Sequence, residues 1–193
     1  MNKPTKITPK HYENIIEKSQ EVHFEIYSQE DLGILLRFLT ASKNEARVLE
    51  LGTGTGLALS WILDGLGAKG VVVSVEKEAQ YLELAASFFG EDSRLQLVHQ
   101  DAHLWVNENK TTRFDIIFAD TWTGKFTELE TVLNMVKPGG FYVVDDLNQQ
   151  PDWPRGHQDK VILLLDKLKC QKDFYTLPLD IGSGFMVLCR KRN

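Results

Sequence analysis

The chain has 193 residues, of which 42% are hydrophobic and 25% charged, and its formal net charge is -5. These values are typical of a single globular domain spanning residues 1–193, and no stretch is long and apolar enough to cross a lipid bilayer, which argues against a membrane protein. Basic residues are scattered except in the terminal "CRKRN", so the charge pattern offers no footprint for nucleic acid.

Residues 1–44 predict a helical N-terminal extension. Apolar side chains recur there at helical spacing, namely Ile15, Ile16, Leu32, Leu35, Leu36 and Leu39. Ser28 followed by Asp31 resembles a capping box, in which a serine side chain closes the first turn of a helix. The segment lacks the apolar core of a secretory signal, and the two cysteines have no paired spacing, so we expect a cytoplasmic location. The helical arm could also pair two subunits into a homodimer.

Short apolar runs then alternate with amphipathic segments. The runs that predict buried strands are "RVLELG", "GVVVSVE", "LQLVHQ", "FDIIFAD" and "GFYVVDD". Helices are predicted between them at "LALSWILDGLG", "EAQYLELAASFFG", "AHLWVNEN" and "FTELETVLNMVKPGG", with Trp61, Phe88, Phe89 and Trp105 in the core. This alternation is typical of parallel βαβ units, and it predicts an α/β fold with a Rossmann-like, doubly wound sheet covered on both faces.

The C-terminal part breaks this alternation. After a helix at "HQDKVILLLDKLK", two strand-like runs, "DFYTLPL" and "GFMVLCRK", are joined by the turn-forming "DIGS". We expect an antiparallel hairpin there, which would complete a mostly parallel sheet of seven strands.

The turn after the first predicted strand is the glycine-rich "GTGTG". It lies at the carboxyl edge of the sheet, where open α/β folds bind ligands, and glycines let a ligand approach the backbone N–H groups. The spacing G-x-G-x-G, with Glu50 two residues ahead, differs from the G-x-G-x-x-G of dinucleotide-binding proteins. A tight turn that binds nothing is the alternative.

The next two strands end in acidic residues. Glu76 in "VVSVEKE" can accept hydrogen bonds from both hydroxyls of a ribose. Asp101 in "LVHQDAH" could accept from an exocyclic amine, with the backbone of Ala102 beside the ring. Together these residues predict an adenosine site, although a solvated residue at a strand end is the alternative for Glu76.

Five motifs in this order resemble the class I S-adenosylmethionine-dependent methyltransferases. They are "VLELGTGTG", "VVSVEKE", "HQDA", "FDIIFAD" and "VKPGGFYVVDD". The resemblance implies that S-adenosylmethionine binds with its methionine part on the glycine-rich turn, its ribose at the end of the second strand and its adenine after the third. The cofactor-binding residues that it implies are Glu50, Gly52, Thr53, Gly54, Gly56, Glu76, Lys77, Asp101, Ala102 and Asp120.

Two acidic clusters end the fourth and fifth predicted strands. Asp120 lies at the end of one, Asp145 and Asp146 at the end of the other, and neighbouring parallel strands place them on one rim, within reach of a divalent cation. This layout resembles the catechol and caffeoyl-CoA O-methyltransferases, whose ligands are two aspartates and an asparagine and whose metal lowers the pKa of the acceptor hydroxyl. The three aspartates are therefore the candidate catalytic residues and candidate ligands of Mg²⁺ or another divalent cation.

The chain departs from that resemblance at three positions. Asp146 stands where those families have asparagine, Thr123 where the catechol enzyme has a lysine that acts as a base, and Ala58 where a serine meets the methionine carboxylate. Without a metal, a general base must take the acceptor proton. The candidates are Asp145, Asp146, His157 and Lys125, with an ordinary surface role as the alternative for the last two.

The sequence thus predicts a methyltransferase that uses S-adenosylmethionine to methylate a hydroxyl or carboxyl oxygen of a small-molecule acceptor. The loop "NQQPDWPRGH" is either a wall of the acceptor site or a rigid packing loop. One alternative function is binding of S-adenosylmethionine without transfer. Another is a nicotinamide-dependent oxidoreductase, against which the glycine spacing and "KPGG" argue.

Overall fold

The computed structural model describes residues 8–24, 28–151 and 153–192. Within them lies a sheet with the strands β1 (Arg47–Leu51), β2 (Val71–Glu76), β3 (Leu95–His99), β4 (Phe114–Ala119), β5 (Val136–Val144), β6 (Phe174–Leu179) and β7 (Phe185–Arg190). Their spatial order is β3-β2-β1-β4-β5-β7-β6. The pairs formed among the first five strands are all parallel, whereas β7 is antiparallel to both β5 and β6.

Helices cover both faces of this sheet. They are α1 (Tyr12–Glu21), α2 (Glu30–Ala41), α3 (Leu57–Gly65), α4 (Ala79–Phe89), α5 (Ala102–Asn109), α6 (Leu129–Met135) and α7 (His157–Lys169). Strand side chains alternate between the faces, so Leu49 packs with α5, α6 and α7 while its neighbour Val48 packs with α1, α2 and α3. The predicted α/β fold with a C-terminal antiparallel hairpin is confirmed.

The predicted core aromatics lie inside these two layers. Trp61, Phe89 and Trp105 are buried, and Phe88 is partly buried against the cluster on its side of the sheet. In the described part of the chain, no helix combines the length and the apolar character needed to span a bilayer. Residues 1–7 and 25–27 of the predicted helical extension lie outside the described residues, and the predicted pairing of two subunits stays a prediction.

The structure corrects the predicted helix at "FTELETVLNMVKPGG". Only its middle is helical, and the chain passes directly from α6 into β5 at Val136. Pro138 has no N–H to continue a helix, and Gly139 has a φ of +74°, which an α-helix does not contain. The parallel pairing of β4 and β5 shifts register between Phe114 and Ile116 beside this entry.

The predicted capping box at Ser28 is wrong. The residue that caps α2 is Gln29, and no side chain makes a capping hydrogen bond there. The Ser28 hydroxyl instead lies 3.4 Å from Oδ2 of Asp120, to which it donates. Ser28, which the local sequence marks as a helix start, therefore contacts the end of β4. This contact brings the N-terminal segment to the carboxyl edge of the sheet.

Candidate functional site

The glycine-rich turn between β1 and α3 passes close to the end of β4. Gly52 has a φ of +97°, and a Cβ atom there would lie 2.5 Å from Cγ2 of Thr121 and 2.9 Å from the carbonyl oxygen of Asp120. The Gly52 N–H donates to the carbonyl of Val75 at 2.9 Å, which ties the turn to β2 as well. Only glycine fits this position, because both its backbone conformation and the space around it exclude a side chain.

Glu76 fixes the other side of this turn. Its Oε2 accepts a hydrogen bond of 2.8 Å from the N–H of Gly54, and its Oε1 accepts from the N–H groups of Lys77 and Glu78 at 2.9 and 3.0 Å. The carboxylate is half-buried and accepts hydrogen bonds from three backbone N–H groups, and its predicted contact with a ribose stays a prediction. Its remaining lone pairs can accept from a ligand.

Two adjoining clefts open at this edge of the sheet, with volumes of about 250 Å³ and about 220 Å³. The residues that line both clefts are Gly52, Glu76, Lys77 and Thr121. The first cleft also contains Thr53, Gly54, Ala58 and Asp120, and the second also contains Asp101, Ala102 and Thr123. We refer to the two together as the groove, and most of the predicted cofactor-binding residues line it.

Asp101 has a structural role besides its place in the groove. It is the N-cap of α5, and its Oδ1 accepts a hydrogen bond of 2.8 Å from the N–H of His103. This bond satisfies one of the free N–H groups at the helix start. The cap also holds the Asp101 carboxylate at the end of the groove.

Gly56 lies outside the groove. It caps α3 with a φ of +94°, and a Cβ atom there would lie 3.2 Å from Cβ of Ala85 and 3.3 Å from the ring of Phe89. The geometry therefore gives Gly56 a packing role, because it lets α4 approach the start of α3. Its predicted contact with a cofactor stays a prediction.

Glu50 is also absent from the groove lining, and it is fully buried in β1. Its Oε2 accepts a hydrogen bond from Ser74, while its Oε1 has no hydrogen-bond partner among the described residues. Burial raises the pKa of Glu50 to about 8; the Ser74 bond opposes the rise, and the nearby charges of Asp120 and Glu76 add to it. A positive charge bound near these acids would favour the ionised form of Glu50.

The acidic rim formed by Asp120, Asp145 and Asp146 contains a lysine. Nζ of Lys125 lies 3.2 Å from Oδ1 of Asp120 and 3.5 Å from Oδ2 of Asp146. Lys125 is only 6% exposed, so the surface role considered for it does not apply. The structure thus brings Asp120 and Asp146 together around a cation that the chain itself supplies, while Asp145 lies within electrostatic range of that cation.

Burial and mutual repulsion change how these groups ionise. Burial raises the pKa of Asp145 to about 7, with the charges of Asp120 and Asp146 adding to the rise and a 2.6 Å hydrogen bond from Ser183 opposing it. Burial also raises the pKa of Asp146, against the attraction of Lys125. For Lys125 burial lowers the pKa, but the surrounding aspartates outweigh it and the net shift is upward.

The rim as arranged does not fit a divalent cation. Two of the three predicted ligands face the Lys125 ammonium, and an oxygen of Asp145 accepts from Ser183. Within the described ranges, no three side chains of the His, Cys, Asp and Glu types are grouped in a way that could hold a metal ion. The predicted metal role of the aspartates stays a prediction, and no step below passes through a metal.

Asp146 has a left-handed backbone with a φ of +57°. Aspartate and asparagine tolerate this conformation better than most other residues. The local backbone therefore suits both the aspartate of this chain and the asparagine of the families that it resembles.

Aromatic rings border the rim on the side of α7. His157, the first residue of that helix, lies 4.5 Å from the ring of Trp153, 5.4 Å from Phe126 and 6.3 Å from Trp122, measured between ring centroids. The charge of His157 also acts to lower the pKa of Asp146, so the ring lies within electrostatic range of the rim. His157 is thereby placed beside the site rather than on a free surface.

The loop after β5 is tied to the hairpin turn. The N–H of Asn148 donates to the carbonyl of Ser183 at 2.7 Å, and its side-chain amide donates to Asp180 at 2.8 Å. The start of the loop is therefore anchored, whereas Trp153 further along packs against the aromatic ring of His157. Both roles predicted for this loop, packing and bordering the site, are compatible with this arrangement.

Sequence reasoning missed several residues of the groove. Phe24 and Tyr81 stand in edge-to-face contact, with ring centroids 4.8 Å apart, and both line the first cleft with Ser28. Thr121 lines both clefts, and Trp122 lines the second. Position next to Asp120 could have indicated Thr121, and Trp122, two residues after Asp120, is part of the resemblance to the catechol and caffeoyl-CoA O-methyltransferases, but nothing in the local sequence marks Phe24 or Tyr81.

A family model described as O-methyltransferase matches residues 7–192 of the chain. A curated relative from Mycobacterium avium, provisionally assigned as an O-methyltransferase, is 29% identical over 120 residues, which cover 58% of this chain and 53% of the relative. The chain thus matches about half the length of that relative.

Solved structures share the fold. The O-methyltransferase TomG from Streptomyces achromogenes, involved in tomaymycin synthesis and crystallised with SAM, has a TM-score of 0.83 at 21% identity, covering 96% of this chain and 92% of that chain. An O-methyltransferase from Bacillus cereus in complex with SAH also has a TM-score of 0.83, at 18% identity, covering 97% of this chain and 94% of that chain. At these identities the likeness concerns the architecture.

Proposed function

The chain belongs to the O-methyltransferase family, and we propose that it transfers the methyl group of S-adenosylmethionine to an oxygen atom of a small-molecule acceptor. The observation that carries this proposal is the groove, where residues from motifs far apart in the chain line one continuous site. We propose that the predicted cofactor-binding residues bind S-adenosylmethionine and that the three aspartates of the rim lie on the acceptor side of the site.

The groove suits each part of the cofactor. The backbone of the glycine-rich turn can take the methionine part, and the fixed carboxylate of Glu76 can accept from the ribose hydroxyls. Asp101 and Ala102 line the far cleft, where the adenine would lie. The partly buried carboxylate of Asp120, which lines the first cleft, supplies negative potential that favours a positively charged sulfonium.

The chemistry asks the protein to align the acceptor, the methyl group and the sulfur, and to keep water out. When bound, S-adenosylmethionine would supply an electrophilic methyl group, and transfer would form the bond from the acceptor oxygen to the methyl carbon while the electron pair of the broken carbon–sulfur bond passes to sulfur. We assign Asp146 as the general base that takes the proton of the acceptor, because it is more exposed than its neighbour Asp145 at the end of β5. Asp145 is 2% exposed, and its carboxylate accepts a hydrogen bond from Ser183.

Calorimetry with S-adenosylhomocysteine tests the cofactor half of this proposal. We expect saturable binding that Glu76→Ala weakens and that Glu83→Ala, an exposed glutamate on α4, leaves unchanged. A wild-type protein that binds no S-adenosylhomocysteine, but binds NADH in a fluorescence titration, would instead be a nicotinamide-binding protein and would overturn the proposal.

Transfer is tested separately with S-adenosylmethionine carrying a labelled methyl group. The protein is incubated with a panel of phenols, catechols and carboxylates, and the label is followed into the organic fraction. We expect label in at least one oxygen acceptor. Binding without transfer across the whole panel would contradict the transfer step and would favour a protein that only binds the cofactor.

A further inference from the structure

We propose that the ammonium group of Lys125 takes the place of a divalent cation at the rim formed by Asp120, Asp145 and Asp146, so that methyl transfer by this chain needs no divalent metal. This inference rests on the proposed function, since it concerns the acceptor side of the same site. It goes beyond that function because it assigns the positive charge at the rim to a residue of the chain.

The first argument is the position of the ammonium. Nζ of Lys125 lies 3.2 Å from Oδ1 of Asp120, at the end of β4, and 3.5 Å from Oδ2 of Asp146, at the end of β5. It therefore bridges the two neighbouring strand ends, which is the role that a shared metal ion would have. These two carboxylates are its hydrogen-bonding and ion-pair partners in the described part of the chain, which leaves one of its three N–H groups for an acceptor oxygen.

The second argument is that the loop holds Lys125 in place. Gly124 has a φ of +89°, and a Cβ atom there would lie 3.2 Å from Cβ of Ala119, so the turn packs tightly on the end of β4. The hydroxyl of the buried Tyr142 donates to the carbonyl of Gly124 at 2.5 Å. The N–H of Lys125 itself donates to the carbonyl of Trp122 at 3.2 Å. The lysine is thus placed by the fold rather than by free rotation at a surface.

The third argument is charge. A divalent ion held by the same oxygens would come within a few ångströms of the buried ammonium, and two cations at that distance repel each other in a poorly hydrated site. The ion could enter only if Lys125 moved out of a position that is 6% exposed. The lysine ammonium is a compact point charge with three N–H donors, two of which the carboxylates of Asp120 and Asp146 can accept.

The experiment measures metal binding directly, without an acceptor. Mn²⁺ serves as the probe for Mg²⁺, because free Mn²⁺ has a six-line paramagnetic resonance spectrum that is lost on binding to protein. Each protein is first saturated with S-adenosylhomocysteine, which is confirmed by calorimetry. Failure of that step would count against the proposed function, whereas the Mn²⁺ signal reports on Lys125 alone.

We expect the wild-type protein to leave the Mn²⁺ spectrum unchanged at millimolar metal, and Lys125→Met to bind Mn²⁺ because it frees the carboxylates. Lys137→Met is the matched control, since Lys137 pairs with Asp115 at 2.8 Å away from the rim and its loss should leave the spectrum as in wild type. The double variant Lys125→Met/Asp146→Asn should also bind Mn²⁺, and it carries less uncompensated charge if the single variant fails to fold.

Two results would overturn the inference. One is Mn²⁺ binding by the wild-type protein that Asp145→Asn abolishes, together with loss of label transfer on addition of a chelator. The other is a folded Lys125→Met protein whose Mn²⁺ spectrum equals that of wild type, because then the lysine does not occupy the cation position. Label transfer that is unchanged by a chelator in the wild-type protein supports the inference.

Discussion

The backbone N–H of Gly54 donates a hydrogen bond of 2.8 Å to Oε2 of Glu76, which joins the glycine-rich turn to the end of β2. Two further N–H groups bind the other oxygen of the same carboxylate. A single side chain therefore sets both the shape of the turn and the position of the acceptor for a ribose. The two functions cannot be separated by removing the charge.

Glu76→Gln is accordingly expected to weaken binding of S-adenosylhomocysteine by about 10- to 100-fold, since hydrogen bonds to charged groups contribute about 1.5–3 kcal/mol. The amide keeps the size of the side chain but loses one acceptor oxygen and the charge. Calorimetry measures the change, with Glu83→Gln on the exposed face of α4 as the control. Equal affinities in the two variants would show that Glu76 does not contact the ligand.

How far the sequence predicts this site depends on where its parts lie. Glu76 and Asp101 could be predicted because each follows a strand, and parallel strands end at one edge of the sheet. Phe24 and Tyr81 could not, since their contact joins the N-terminal segment to α4 and depends on how helices pack across the groove. Local sequence patterns do not record such pairings.

Lys125 shows a second limit. The sequence places it near Asp120, but whether a lysine five residues after a strand reaches back to the rim depends on the turn at Gly124 and on Tyr142 from the next strand. The end of α6 shows the same limit, because a helical pattern continues into residues that the sheet takes as β5. In both places tertiary contacts decide what the local pattern leaves open.

Glu50 should make the stability of the protein fall as the pH rises. Its pKa is about 8 in the folded chain against the ordinary value of 4.5, so the folded state holds a proton that the unfolded state has lost. The contribution of Glu50 to the free energy of unfolding is therefore fully present below pH 4.5 and decreases as the pH rises to about 8. The limiting slope from this group is about 1.4 kcal/mol per pH unit.

Glu50→Gln tests this dependence, because the amide can still accept from Ser74 but does not ionise. Urea unfolding from about pH 5 to about pH 8 should give a stability difference between variant and wild type that grows in favour of the variant. Asp145 also titrates in this range, but it is present in both proteins and cancels in the difference. A constant difference across the range would show that Glu50 does not hold its proton.

Tyr142→Phe should destabilise the turn that carries Lys125. The change removes the 2.5 Å hydrogen bond to the carbonyl of Gly124 and leaves that buried acceptor unsatisfied, at a cost of about 1–3 kcal/mol. Urea unfolding measures the loss, and Tyr175→Phe, at a side chain 67% exposed, is the control that should stay close to wild type. Similar losses in both variants would mean that the bond to Gly124 contributes nothing specific.

Gly52→Ala should reduce both stability and cofactor binding. At a φ of +97° an L-residue is strained by about 1–2 kcal/mol, and the new Cβ atom would meet Thr121 at 2.5 Å and the backbone of Asp120 at 2.9 Å. Backbone atoms at the end of β4 cannot yield without moving the rim, so we expect the turn to shift away from the groove. Binding of S-adenosylhomocysteine should then fall at least about tenfold, measured by calorimetry.

Gly67→Ala is the matched control for this substitution. A Cβ atom there has nothing within 4 Å, and its φ lies outside the left-handed range, so the change should leave the unfolding free energy within about 1 kcal/mol of wild type and the affinity unaltered. Because both variants add one methyl group to a loop glycine, the difference between them reports the combined effect of the left-handed backbone at Gly52 and its close approach to the end of β4. Equal affinities for S-adenosylhomocysteine in the two variants would show that the conformation at Gly52 does not shape the groove.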